Sequence, residues 1–228
     1  MRLRAAVILL CLAAQQGHAG AWPRGEGNTF VALSYTLNAD PGSLGDLAVE
    51  TNGFGALFVE RGITDRLTFG TDVTVAHGGD YNAFFYFSRA IGSLDAPNRY
   101  AFHAGGGYVE DGATVDEPQA YIGASWGRGL ETRWGSGWSA VDVSLFYRTD
   151  SNNVATKADL TLGVNLSEDW TAFVQAQSGK FPDNDAFLRL VPSVAFDIGQ
   201  GRRLEVGVPI GVFGDGDIGI KFGTWLEF

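Results

Sequence analysis

The chain has 228 residues, a formal net charge of −10, 32 glycines and 13% aromatic residues. That length suits a single all-β domain, and the acidic balance disfavours a nucleic-acid partner. Beyond residue 20 no apolar run approaches the roughly 20 residues that a membrane-spanning helix needs.

The opening MRLRAAVILLCLAAQQGHAG combines two arginines, an apolar run from Ala5 to Ala14, and the small residues Gly17 and Ala19. This is the layout of a secretory signal peptide, so residues 1–19 are expected to be removed and residues 20–228 to form the mature domain. Arg2 and Arg4 leave with it, and 14 bases then face 26 acids, a balance of −12. Cys11, the one cysteine, also leaves. An exported chain without cysteine must hold together by backbone pairing and packing, not by disulfides.

From there the dominant pattern has period two, the mark of strands with one apolar and one polar face. Twelve such runs are predicted, near 28–37, 48–60, 66–77, 81–90, 99–109, 118–128, 138–149, 155–166, 170–179, 187–198, 203–213 and 217–228. In SAVDVSLFY, Val141, Val143, Leu145 and Tyr147 share one face, while Asp142, Ser144 and Phe146 share the other. ADLTLGVNL repeats the arrangement, with Leu160, Leu162, Val164 and Leu166 opposed to Asp159, Thr161, Gly163 and Asn165. YNAFFYFSRA carries aromatics on both faces, which leaves its orientation open.

The runs are about twice the usual strand length of about five or six residues. A tilted strand crosses a bilayer in roughly 9–11 residues, and alternation with an apolar outside fits a transmembrane barrel. A lipocalin-like barrel or a β-sandwich alternates as well, with its apolar face inside. Three features favour the membrane. The polar face is rich in Gly, Ser, Thr and Asn. Aromatics gather near strand ends (Tyr35, Tyr100, Tyr108, Trp126, Trp138, Tyr147 and Trp170), where a bilayer interface would accept them. Finally, alternation continues to the last residue: Ile218, Ile220, Phe222, Thr224, Leu226 and Phe228 on one face, Lys221, Trp225 and Glu227 on the other.

With its signal peptide, alternating strands and terminal Phe228, the chain resembles Gram-negative outer-membrane β-barrel proteins, of the porin-like transporter class. The segment RGITDRLTFG, residues 61–70, is similar to a short periplasmic turn of outer-membrane transporters. The resemblance implies a closed antiparallel transmembrane β-barrel, taken as twelve strands within a range of ten to fourteen. It further implies location in the cell outer membrane, partners in outer-membrane lipid and lipopolysaccharide, and use of the barrel-assembly machinery. Phe222, Leu226 and Phe228 would carry the assembly signal.

An even strand count places both chain ends in the periplasm. The outer connections then hold Asp40, Asp46, Asp80, Glu110, Asp111, Asp116, Glu117, Asp150, Asp183, Asp185 and Asp215, whereas most arginines lie near the inner turns. An acidic mouth would favour cations. The polar face supplies the lumen-lining candidates Asp72, His103, Asp142, Arg148, Lys157, Asp159, Arg189 and Lys221. Mixed charges suit either a selective constriction or a salt-bridged plug, and lumen glycines such as Gly105, Gly123, Gly163 and Gly223 tip the balance towards open space. The expected function is a passive channel for small solutes, the alternatives being a plugged structural or adhesive barrel and an outer-membrane lipid hydrolase. No catalytic residues, metal site or cofactor are assigned, because His77 and His103 lack a nearby serine motif and no zinc-spaced cluster or phosphate loop occurs.

Overall fold

The computed structural model describes residues 20–43, 51–110, 116–182, 185–214 and 216–228. The signal segment, Asp46, Asp111, Asp183 and Asp215 therefore lie outside the described residues. The strands are β1 (Thr29–Ala39), β2 (Thr51–Gly62), β3 (Leu67–Ala76), β4 (Tyr81–Ile91), β5 (Asn98–Glu110), β6 (Glu117–Thr132) and β7 (Gly135–Arg148). They continue as β8 (Val154–Asn165), β9 (Trp170–Lys180), β10 (Phe187–Gly199), β11 (Arg202–Gly207), β12 (Ile210–Phe213) and β13 (Ile218–Glu227). The sole helical element among the described residues is the short 3-10 turn Pro41–Ser43.

β11 and β12 are one crossing. Gly207 pairs with Lys221 and Ile210 with Ile218 of β13, so the register runs unbroken across Val208 and Pro209. Proline has no N–H to give to the ladder, which explains why the run predicted as 203–213 is interrupted there. Twelve crossings therefore make up the sheet, each antiparallel to its neighbours. β1 also pairs with β13 along ten residues, from Phe30 opposite Glu227 to Ala39 opposite Ile218, and this closes the barrel. Phe228 extends the seam: its N–H donates to the Thr29 carbonyl at 3.0 Å, and the Thr29 N–H donates back to its carbonyl at 2.7 Å. Closure satisfies the backbone of the first and last strands, as a hydrocarbon solvent requires.

β1 begins and β13 ends at one end of the barrel, here the terminal end; the other is the far end. The predicted turn at 61–70 is a tight terminal-end reversal, in which Ile63 and Thr64 donate to the Leu67 carbonyl at 2.8 and 3.1 Å. The β6–β7 hairpin runs longer than the alternation indicates. Pairing continues from Gly129 opposite Trp138 to Thr132 opposite Gly135, leaving only Arg133 and Trp134 at the tip. Glycines there interrupt the apolar rhythm without interrupting the hydrogen bonds.

The outside is apolar. Leu33, Leu57, Phe85, Ile122, Val143, Leu162, Val194 and Phe222 point away from the axis and are 37–54% exposed. Soluble monomers rarely show contiguous apolar patches beyond a few hundred Å²; here the belt surrounds the molecule. Tyr35, Tyr108 and Tyr147 rim its far end, and Tyr100, Trp134, Trp170 and Phe228 its terminal end, all exposed. Trp138 corrects the sequence reading. It is 8% exposed and points inward, as its even spacing from Asp142 requires.

Candidate functional site

The barrel encloses a cavity of about 1150 Å³. Its wall has two characters. On β4, β6 and β7, Phe84, Tyr121 and Phe146 form a packed aromatic face, with ring centroids 4.8–5.1 Å apart. Across from it, β8–β11 and β13 present Lys157, Asp159, Gln175, Gln177, Arg189, Glu205 and Lys221. Period-two geometry brings these side chains to the same surface. All eight residues singled out from the polar face (Asp72, His103, Asp142, Arg148, Lys157, Asp159, Arg189 and Lys221) stand on the cavity wall.

The charges are arranged in pairs. Lys157 Nζ lies 2.9 Å from Asp159 Oδ2, with Asp72 and Asp142 also within its field. Lys221 Nζ lies 2.8 Å from Glu205 Oε1, and Trp225 Nε1 donates to Glu205 Oε2 at 3.0 Å. Nearer the terminal end, Arg203 donates to Thr171 Oγ1 at 2.7 Å and approaches Asp197 at 3.5 Å. Pairing with additional hydrogen bonds offsets the cost of taking such charges out of bulk water.

Towards the terminal end, side chains and a returning segment narrow the lumen. Residues 20–24, which precede the first strand, turn back inside the barrel. Arg24 Nε donates to Glu60 Oε2 at 2.7 Å, and the Tyr86 hydroxyl donates to Glu60 Oε1 at 2.8 Å. Glu60 is 1% exposed. The reversal passes through Gly25 and Gly27, with φ of +74° and +83°, a region that glycine enters without the penalty of a Cβ. Trp22 packs against an interior cluster of Phe30, Trp138, Phe173 and Trp225.

Sequence reasoning missed this segment, together with Glu60, Tyr86 and Ser125. β2 carries Phe54 and Phe58 on its inner face and Leu57 and Val59 on its outer face, so alternation does not isolate Glu60. Trp22, Arg24 and two glycines just ahead of the first strand were the available signal.

Three of the inner glycines do not leave empty space. A Cβ on Gly70 would collide with the Tyr86 ring, one on Gly163 with the Trp138 ring, and one on Gly127 with the Trp22 ring. Glycine here is the notch into which an inward aromatic fits. Gly163→Leu is therefore expected to destabilise the barrel by about 1–3 kcal/mol through overpacking. Urea unfolding in lipid vesicles measures this, and a neutral result would mean that Trp138 is free to leave its notch.

His103, Ser125 and Asp142 form a chain: His103 Nε2 lies 2.7 Å from Ser125 Oγ, and Ser125 donates to Asp142. A nucleophilic serine needs its proton directed to a base that is oriented in turn by an acid. Here the serine stands between the two, giving its proton to the carboxylate and accepting from the imidazole. This order fixes Asp142 and does not activate Ser125. Among the described residues no cluster of His, Cys, Asp and Glu has the grouping of a metal site.

No family model matches the chain, and no curated protein matches its sequence. Solved structures do match its fold. An outer membrane channel from Pseudomonas putida F1 superposes with a TM-score of 0.61 at 10% identity, covering 94% of this chain and 100% of that one. The KdgM porin, in complex with disordered oligogalacturonate, gives 0.59 at 7% identity, covering 87% of this chain and 99% of that one. A second KdgM porin structure gives 0.54 at 8%. The chain shares the fold of these outer-membrane, porin-like β-barrels, here a closed barrel of twelve antiparallel crossings.

Proposed function

We propose that the protein is a passive outer-membrane channel for small solutes, with a far mouth that favours cations. The terminal end faces the periplasm, and Phe222, Leu226 and Phe228, all on the outer face of β13, mark the chain for the barrel-assembly machinery. Outer-membrane lipid and lipopolysaccharide surround the apolar belt. The observation that carries this reading is a cavity of about 1150 Å³ inside a closed cylinder whose exterior is apolar. An aromatic wall facing a polar one suits solutes that pair a ring or apolar face with polar groups.

Cation preference follows from the lining. Asp72, Asp80, Glu110, Asp142, Asp159, Asp185 and Glu205 are seven acids; Arg148, Lys157, Arg189 and Lys221 are four bases, so the wall carries three more acids than bases. Fields in a confined, low-dielectric mouth concentrate counter-ions. Planar-bilayer recording across a salt gradient tests this: the reversal potential is expected on the cation side. Lys221→Gln, which leaves Glu205 without its ammonium, is expected to move it further that way, and Asp72→Asn to move it back. Anion preference would remove the selectivity argument. A correctly folded protein with no measurable current would instead support the plugged structural barrel.

A further inference from the structure

Asp142, like Asp72, is an interior carboxylate with no ion pair of its own among the described residues; what sets Asp142 apart is the chain segment lying against it. Arg24 pairs with Glu60, Lys157 with Asp159 and Lys221 with Glu205, whereas Asp142 receives only the Ser125 hydroxyl. Ser125 and His103, each 5% exposed, hold it from behind. Against its carboxylate lies the backbone of Gly20, so closely that a Cβ on Gly20 would overlap both Asp142 and Ser125.

Gly20 is the residue that cleavage after Ala19 would expose. In that hydrolysis water adds across the Ala19–Gly20 peptide bond: the hydroxyl joins the Ala19 carbonyl carbon and a proton goes to the Gly20 nitrogen as the C–N bond breaks. The new α-amine, whose ordinary pKa is about 7.7–8.0, takes a further proton at neutral pH. A neutral amide nitrogen thus becomes an ammonium, one bond from the Cα that touches Asp142.

We propose that Asp142, seated by Ser125 and His103, is a binding site for a primary ammonium group, and that its resident ligand is the processed amino terminus of this same chain. Maturation then locks residues 20–24 across the lumen. One end is held at Asp142 between β6 and β7, the other by Arg24 on Glu60 of β2, with Trp22 in the Gly127 notch between them. Ala21 is 1% exposed within this strap. The precursor cannot make the contact, because its Gly20 nitrogen is uncharged and carries 19 further residues. Gly20 lines the cavity, so processing sets how the strap narrows the pore. The proposal rests on cleavage after Ala19 and on the barrel being exported.

The test uses full-length protein exported with its own leader and purified from membranes. Intact mass and N-terminal sequencing are expected to give Gly20 as the first residue; any other first residue overturns the proposal while leaving the channel reading intact. The amine is then labelled with an N-terminus-selective aldehyde in the folded and the unfolded protein. Folded protein is expected to react about 10- to 100-fold more slowly, the population factor of one charge-assisted hydrogen bond. Asp142→Asn should abolish most of this protection. An alanine inserted between Ala19 and Gly20 should do the same while the barrel keeps its folded gel mobility, since it displaces the ammonium without touching the wall. Equal labelling rates in folded and unfolded wild type, or protection unchanged in both variants, overturn the docking. The readout does not depend on whether the protein conducts.

Discussion

Val143→Arg is expected to cost about 2–4 kcal/mol of folding free energy in a bilayer, the penalty for a cation near the midplane on the lipid face of a barrel. Val143 lies midway along β7 and is 47% exposed on the outer surface. Its neighbours across the two ladders are Ala124 and Ala158, which offer the guanidinium no partner. Ser144, one residue on, lines the cavity and faces Lys157. Ser144→Asn is expected to change stability by under about 1 kcal/mol, as for a replacement with room and polar neighbours. Adjacent positions on a strand lie on opposite faces, so the pair reads the orientation of the whole sheet. Equal costs at the two sites, or a wild-type protein that stays dispersed in water without detergent, would falsify the membrane arrangement.

The second large effect concerns the strap. Arg24→Met is expected to destabilise by about 3–5 kcal/mol, the cost of leaving a buried charge without its partner. Glu60 would keep the Tyr86 hydroxyl alone, deep in the ring-packed terminal half of the lumen. Arg24 also stacks over Phe30, its guanidinium carbon 4.1 Å from the ring centroid; methionine retains that packing, so the loss reports mainly the charge. The double change Arg24→Met with Glu60→Leu should recover most of the stability, because removing both partners of a buried pair is often neutral. Chemical denaturation in vesicles separates these cases. No loss in the single variant would place Glu60 in contact with water and take the strap out of the lumen.

The structure explains which parts of this arrangement can be read from residues in order. Alternation in SAVDVSLFY and ADLTLGVNL identifies strands and faces because the side-chain period of a strand is fixed at two. The same rule, applied strictly, would have turned Trp138 inward with Asp142. Grouping it with the interfacial aromatics used its residue type and its place near a strand end in preference to its parity. The glycines misled for a different reason. Gly163 looked like a vacancy, but Trp138 occupies it from the neighbouring strand, and such pairs exist only once the register is set.

By itself the sequence determined that this chain is a run of membrane-length strands with a greasy side, a polar side and a final strand fit to meet the first. Local geometry and the solvent suffice for that: the pleat assigns the faces, and hydrocarbon forbids an open edge. Only the tertiary structure decided what occupies the interior. The joining of Arg24 to Glu60, the seating of Gly20 against Asp142 and the filling of glycine notches by rings all depend on side chains brought together around a curved wall. Such contacts have no period along the chain, and their partners are chosen by register and closure.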